Sequence, residues 1–170
     1  MWFDVKPQSL DFVTRSPSHM HFDAAIYAPP ERVFDVVASD DMGAWLPDFR
    51  EMRWTSPPPR KVGSTRVVSL KMLAVKEIFL AWDRGRRLTF TMDAITLPIV
   101  DALVEDIKLE PFGPRHTRVR YGVHYTPKLW ARPIEPIIRA VFGKLFRDAL
   151  RGIARVAVSE TFTRTPEIHA

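Results

Sequence analysis

Ile134-Glu-Pro-Ile-Ile-Arg-Ala-Val-Phe-Gly-Lys-Leu-Phe-Arg-Asp-Ala-Leu-Arg-Gly-Ile-Ala-Arg-Val-Ala-Val158 is the stretch that decides the fold. Apolar side chains recur at Ile134, Ile137, Ile138, Val141, Phe142, Leu145, Phe146, Ala149, Leu150, Ile153 and Val156, the i, i+3, i+4, i+7 spacing of an amphipathic helix. Arg139, Lys144, Arg147, Arg151 and Arg155 fall mainly on the other side. At 1.5 Å per residue the helix is about 37 Å long, enough to cross a domain. A solitary helix of that length must bury its stripe against a sheet, and a curved sheet gripping one helix tends to enclose a cavity. The class of function indicated is a pocket for something apolar.

Upstream of this helix the chain reads mostly as strand. Segments 19–28, 49–55, 64–72, 75–82, 87–93, 101–110 and 117–126 carry alternating or continuous apolar patterns bounded by proline and glycine turns. After the first strand, Pro29-Pro30-Glu31 opens a short helix whose apolar side is Val33, Phe34, Val36 and Val37, and a second helical turn covers 41–46. Short connections between successive strands imply an antiparallel meander. The expected architecture is α+β: a curved antiparallel sheet of about seven strands around the C-terminal helix, with two short helices after strand one. Residues 1–18 read as an extension packed on the domain, 19–158 as the domain and 159–170 as a tail.

Composition narrows the possibilities. A chain of 170 residues suits one domain, and 46% hydrophobic with 26% charged residues is ordinary for a globular protein. No apolar run approaches the ~20 residues that span a bilayer, and the N-terminus lacks the pattern of a signal peptide. With no cysteine, disulfides, thiolate metal sites and a cysteine nucleophile are excluded, and a cytoplasmic location is expected. The net charge of +5 favours anionic surfaces, yet no nucleic-acid-binding motif is present.

The phrases Ile26-Tyr-Ala-Pro-Pro-Glu-Arg-Val-Phe-Asp-Val-Val, Trp45-Leu-Pro, Val62-Gly-Ser-Thr-Arg, Glu77 leading to Trp82-Asp-Arg, Arg87-Leu-Thr-Phe, Leu109-Glu-Pro-Phe-Gly and Thr117-Arg-Val with Tyr121 follow one another through the domain. In that order they resemble the START/Bet v 1-like (SRPBCC) superfamily, in its polyketide cyclase/dehydrase and lipid-transport branch, over roughly residues 19–158. The resemblance implies a helix-grip fold with a deep apolar cavity between sheet and helix. Catalysis is not implied, because members of the superfamily include carriers, cyclases and receptors.

Strand parity selects the concave face. Expected ligand-binding residues are Arg66, Val68, Leu70, Glu77, Phe79, Leu88, Phe90, Met92, Leu103, Glu105, Ile107, Val119, Tyr121 and Val123, with Ile138, Phe142, Leu145 and Phe146 from the helix. A buried carboxylate needs a partner, so Arg66 is expected to pair with Glu105 or Glu77. These groups either fix the polar end of a ligand or form a structural pair. Tyr121, Glu105 and Arg66 are the candidates for acid–base work if the protein is an enzyme, a cyclase or dehydratase without cofactor. Among the histidines, His19, His21 and His124 share the convex face, His116 lies in a turn and His169 in the tail, and solvated side chains are expected rather than a metal site.

In an antiparallel meander the loops 72–74, 94–100 and 128–133 emerge at one end. All three are apolar and flanked by Lys71, Lys76, Lys128 and Arg132. Leu73, Leu97, Ile99, Leu129 and Trp130 are therefore the expected pocket entrance, a closed cap, a homodimer contact, or a surface that touches anionic membrane transiently. The reading that follows is a binder of a hydrophobic small molecule or lipid, without cofactor or metal. Its rivals are the cyclase/dehydratase and a regulatory or interaction protein whose cavity is vestigial.

Overall fold

The structure is a computed structural model that describes residues 1–159. Its elements are β1 (Phe3–Asp4), α1 (Phe12–Arg15), β2 (Ser18–Ile26), α2 (Pro30–Val37), β3 (Phe49–Trp54), β4 (Thr65–Leu70), β5 (Ala74–Asp83), β6 (Arg87–Ile95), β7 (Val100–Pro111), β8 (Thr117–Pro127) and α3 (Glu135–Val158), with 3-10 turns at Met42–Ala44 and Leu129–Ile134. The strands form one antiparallel sheet in the order β2-β8-β7-β6-β5-β4-β3, so the first long strand closes against the last. Tyr27 to Pro30 ends β2 and starts α2, because proline cannot donate to a ladder but suits the first helical turn. Val33, Phe34, Val36 and Val37 are then buried as the apolar side of α2.

The extension contributes more than a packed tail. β6 pairs with β7 only from Arg87 to Thr91, and where β7 peels away β1 takes its place, with Phe3 opposite Ile95 and Asp4 opposite Ala94. Val5 N–H then donates to Asp93 C=O and Lys6 N–H to Asp101 C=O, both at 2.9 Å. A two-residue strand is too short to show a period, which is why the sequence gives no sign of this eighth strand. On the convex side, Phe12 of α1 is buried with Ala102 and Val104, with Val13 and Leu80 packed alongside. Both faces of β5 look apolar for that reason: Leu80 belongs to this outer cluster. A register shift between Phe79 and Ala81 turns Trp82 back toward the core, where its ring meets Phe34 and Phe79.

The long helix is 24 residues and crosses the concave face. Its single apolar stripe, as read from spacing, divides in three dimensions. Ala149, Leu150, Ile153 and Ala157 are buried, and Gly152 lies so close to the Met42–Ala44 turn that a Cβ there would stand 2.1 Å from the Trp45 carbonyl oxygen. Toward the N-terminus, Ile138, Phe142, Leu145 and Phe146 are only half-buried, and Ile134, Ile137 and Val141 are exposed. The expectation that every stripe residue packs inward thus fails for these three, which sit on the outer edge of a stripe wider than the sheet can cover.

Candidate functional site

Beneath the N-terminal half of α3 lies a cavity of about 100 Å³. Its floor is the concave face of β4 to β8, with Val68, Leu70, Val75, Phe90, Met92, Ile95, Leu103, Ile107 and Val123; Ile138, Phe142, Leu145 and Phe146 of α3 form the roof. Met20 of β2, and Val37, Met42, Trp45 and Leu46 around the 3-10 turn, close the sides. The surface is apolar except for a short belt of polar groups crossing the sheet.

The register sets up that belt. Arg66 and Glu77 are direct cross-strand partners on β4 and β5, and Glu105 and Tyr121 face inward from β7 and β8, with Phe90 and Met92 of β6 between the two pairs. Arg66 Nε donates to Glu77 Oε2 at 2.5 Å, with both side chains at or below 5% exposure, so of the two carboxylates expected as partners it is Glu77 that pairs. Arg66 also lies against the rings of Trp54, Phe79 and Phe90, its guanidinium carbon 4.9 Å from the Phe79 centroid. Burial pushes the Glu77 carboxyl upward against the Arg66 charge, which holds it down.

Tyr121 Oη donates to Glu105 Oε2. Burial, reinforced by the nearby Glu77 charge, raises the Glu105 carboxyl from its ordinary 4.5 to about 8 and outweighs the opposing hydrogen bond from Tyr121. Burial thus favours the acid form of Glu105 inside the cavity. Burial together with Glu105 keeps the Tyr121 hydroxyl well above its usual range. Two of the lining residues carry a buried donor with no partner among the described residues: Arg66 at Nη1 and Trp45 at the indole Nε1. Each orphan costs about 1–3 kcal/mol.

Most of the residues expected on the concave face come together in this wall. Phe79, Leu88 and Val119 do not: they are buried toward the closed end of the sheet, near the β5–β6 and β7–β8 turns, where α2 fills the space. Among the expected entrance residues, Leu73 and Ile99 line the cavity, Leu97 is half-buried beside it, and Leu129 and Trp130 point to solvent. Trp45 and Met42 come from a segment without periodicity, so sequence reasoning passed over them. Met20 and Val75 have the correct strand parity and were findable. Tyr125 combines wall and latch: its hydroxyl donates to Glu135 Oε1 at 2.7 Å and accepts from Arg139 Nη1 at 3.1 Å, tying the first turn of α3 to the sheet.

On the convex face, His19, His21 and His124 do cluster, with ring centroids 4.9 to 6.1 Å apart. His124 departs from the expected solvated state: it is 3% exposed and pairs with Ser16 Oγ through Nδ1 at 3.1 Å. Burial and the adjacent His21 lower its pKa from 6.5 to about 4. No group of three histidine or carboxylate side chains among the described residues is placed to hold a metal ion. His169 lies outside the described residues.

The family described as polyketide cyclase/dehydrase and lipid transport matches residues 19–158. An uncharacterized protein of Mycobacterium tuberculosis is 26% identical over 148 residues, 86% of this chain and 88% of that protein. An aromatase/cyclase from Streptomyces sp. R1128 superposes with a TM-score of 0.69 at 14% identity, over 82% of this chain and 93% of that one. A ginseng major latex-like protein also reaches 0.69 at 12% identity (84% and 98% covered), and a START superfamily protein from Mycobacterium smegmatis 0.68 at 10% (81% and 94%). At such identities these structures attest the helix-grip fold. No helix of the described residues is long and apolar enough to cross a membrane.

Proposed function

The chain belongs to the polyketide cyclase/dehydrase and lipid transport family, and on that premise we propose that it binds and carries a hydrophobic small molecule bearing a hydrogen-bond acceptor. The observation that carries this reading is that a cavity lined mainly by apolar side chains is bordered by Arg66 and Trp45, whose Nη1 and Nε1 are buried donors without a partner among the described residues. A purely hydrocarbon ligand would leave both donors orphaned; a carbonyl, ester or carboxylate satisfies at least one. Apolar contact supplies the bulk of the affinity, at about 25 cal/mol per Å² removed from water.

The resting cavity of about 100 Å³ is smaller than the ~300 Å³ at which pockets for drug-sized ligands begin. Loading a polyketide or acyl chain therefore requires the roof to yield. Phe142, Leu145 and Phe146 are half-buried, and each can swing outward at less cost than a fully packed side chain. The carrier is expected to work in the cytoplasm, where a chain without cysteine is indifferent to the redox state.

A second reading rests on Glu105. A carboxyl held to about 8 is an acid ready to protonate a ligand carbonyl at neutral pH, and a cyclase or dehydratase would use it with Tyr121. Titration with an environment-sensitive dye, displaced by fatty acids, aromatic polyketides and matched hydrocarbons, tests the first reading. Acceptor-bearing competitors should displace the dye at one site per chain, and Trp45→Phe should weaken them selectively. Equal displacement by hydrocarbons in parent and variant contradicts it. Turnover of a polyketide that Glu105→Gln abolishes would establish the second.

A further inference from the structure

The outer side of α3 carries an apolar surface that nothing among the described residues covers. Ile134, Ile137 and Val141 succeed one another at helical spacing and are all exposed, Ile137 at 65%. The ridge continues into Leu129 and Trp130 of the preceding 3-10 turn, and Met72, 68% exposed, tips the β4–β5 hairpin at the same end of the sheet. The loops at this end are bonded to one another. Ala74 N–H donates to Thr96 Oγ1 at 2.8 Å, Thr96 N–H to Ala74 C=O at 3.0 Å, and Lys128 N–H to Ile99 C=O at 2.9 Å. Lys71 follows β4 beside Met72, and Lys128, Arg132 and Arg139 lie on the same 3-10 turn and helix as the ridge, while Lys76 on β5 sits over the Trp2 ring at 4.9 Å. Asp101 holds Lys128 at 2.7 Å and Glu135 lies 3.9 Å from Arg139, whereas Lys71 and Arg132 form no ion pair among the described residues.

We infer that this end of the molecule docks on an anionic bilayer, the ridge entering the headgroup–acyl boundary while the basic side chains meet lipid phosphates. Charge decides between lipid and a second copy as the occupant. A two-fold contact sets this basic flank against itself, whereas an anionic surface is complementary to it. A scattering of single apolar residues would need no partner, but six large ones on connected loops and one helix face do. The inner side of the same turns is the cavity roof, so docking brings Phe142 and Leu145 toward the acyl phase and gives the roof a place to yield. The docking itself does not depend on what the cavity holds.

Co-sedimentation of the full chain with phosphatidylcholine vesicles, with and without phosphatidylglycerol, tests the inference. Binding should require phosphatidylglycerol and disappear at high salt. It should fall about fivefold for Arg132→Gln or Lys71→Gln and about tenfold for Trp130→Ser combined with Ile137→Ser. These positions are exposed, so unchanged melting curves will show that the variants remain folded. Binding that ignores lipid charge, variants that sediment like the parent, or no binding to either vesicle would overturn the proposal. So would a dimer, seen by light scattering, that Ile137→Asp dissociates.

Discussion

The two halves of α3 share one helix and one hydrophobic period, yet they are held in opposite ways. From Ala149 to Ala157 the helix is clamped. Gly152 touches the Trp45 backbone, Arg155 Nη2 donates to Ala44 C=O at 2.8 Å, and Arg32 donates to the Ala157 and Ser159 carbonyls at the end of the helix. From Glu135 to Phe146 the inner side chains lie over a cavity and the outer ones in solvent, and this half is tied to the sheet by the polar contact of Tyr125 with Glu135 and Arg139 and by the Phe146 ring against Phe22 and Tyr121. A helix with this division is an anchored lid. The anchor is where small residues permit close approach, and the lid is where large ones overhang the space they enclose.

The sharpest way to break the comparison is to make the same substitution in each half. Gly152→Ala drives a methyl group into a backbone carbonyl and should cost more than ~3 kcal/mol in chemical denaturation. Gly143→Ala meets only the mobile end of Arg147, at 3.1 Å, and should stabilise by up to about 1 kcal/mol through helix propensity. Equal signs would mean that the halves are equally packed. Next in size, Ile153→Ala should cost about 3 kcal/mol, whereas Ile137→Ala should cost less than about 0.5 kcal/mol.

Protonation sharpens the picture at the cavity wall. Glu105 keeps its proton up to about pH 8 in the fold but only to its ordinary 4.5 when unfolded, so the native state holds the extra proton and stability falls as pH rises through that window. His124 works the other way. Its folded value of about 4 lies below 6.5, so stability is lost as pH falls through that range. The two offset each other at acid pH, and between pH 6.5 and 8 stability should decline as pH rises. Glu105→Gln, which still accepts from Tyr121, should flatten that decline in melts taken across the range. Smallest of all, Trp45→Phe deletes an orphan donor, which favours the fold, and removes buried ring volume, which opposes it; the two should offset to within about 0.5 kcal/mol in the empty protein, while the substitution changes which ligands bind.

Much of this is legible in the sequence. The i, i+3, i+4 spacing of α3 and the alternation in 64–72, 87–93 and 117–126 pointed to the sheet, the helix and the inward faces of Arg66 and Tyr121, because burial imposes those periods, whereas the two apolar faces of 75–82 left the side of Glu77 open. What stayed hidden has physical causes. β1 is too short to carry a period. Trp45 and Met42 sit in a segment whose path is set by its contact with Gly152. The stripe of α3 looked like one surface because spacing reports which side chains share a face, and says nothing of how far the sheet extends beneath them. Phe79, Leu88 and Val119 have the correct parity but lie too far along their strands, a coordinate that alternation does not encode.

The most direct test of the central claim, an apolar ligand held beneath the N-terminal half of α3, is a dye titration on two tryptophan variants one helical face apart. Leu145→Trp adds bulk to the roof of a cavity of about 100 Å³ and should abolish stoichiometric dye binding while the protein remains folded. Ile137→Trp adds the same kind of bulk on the exposed side and should leave binding unchanged. If Leu145→Trp binds dye like the parent, or if Ile137→Trp is the variant that loses it, the ligand does not lie between sheet and helix and the account is wrong.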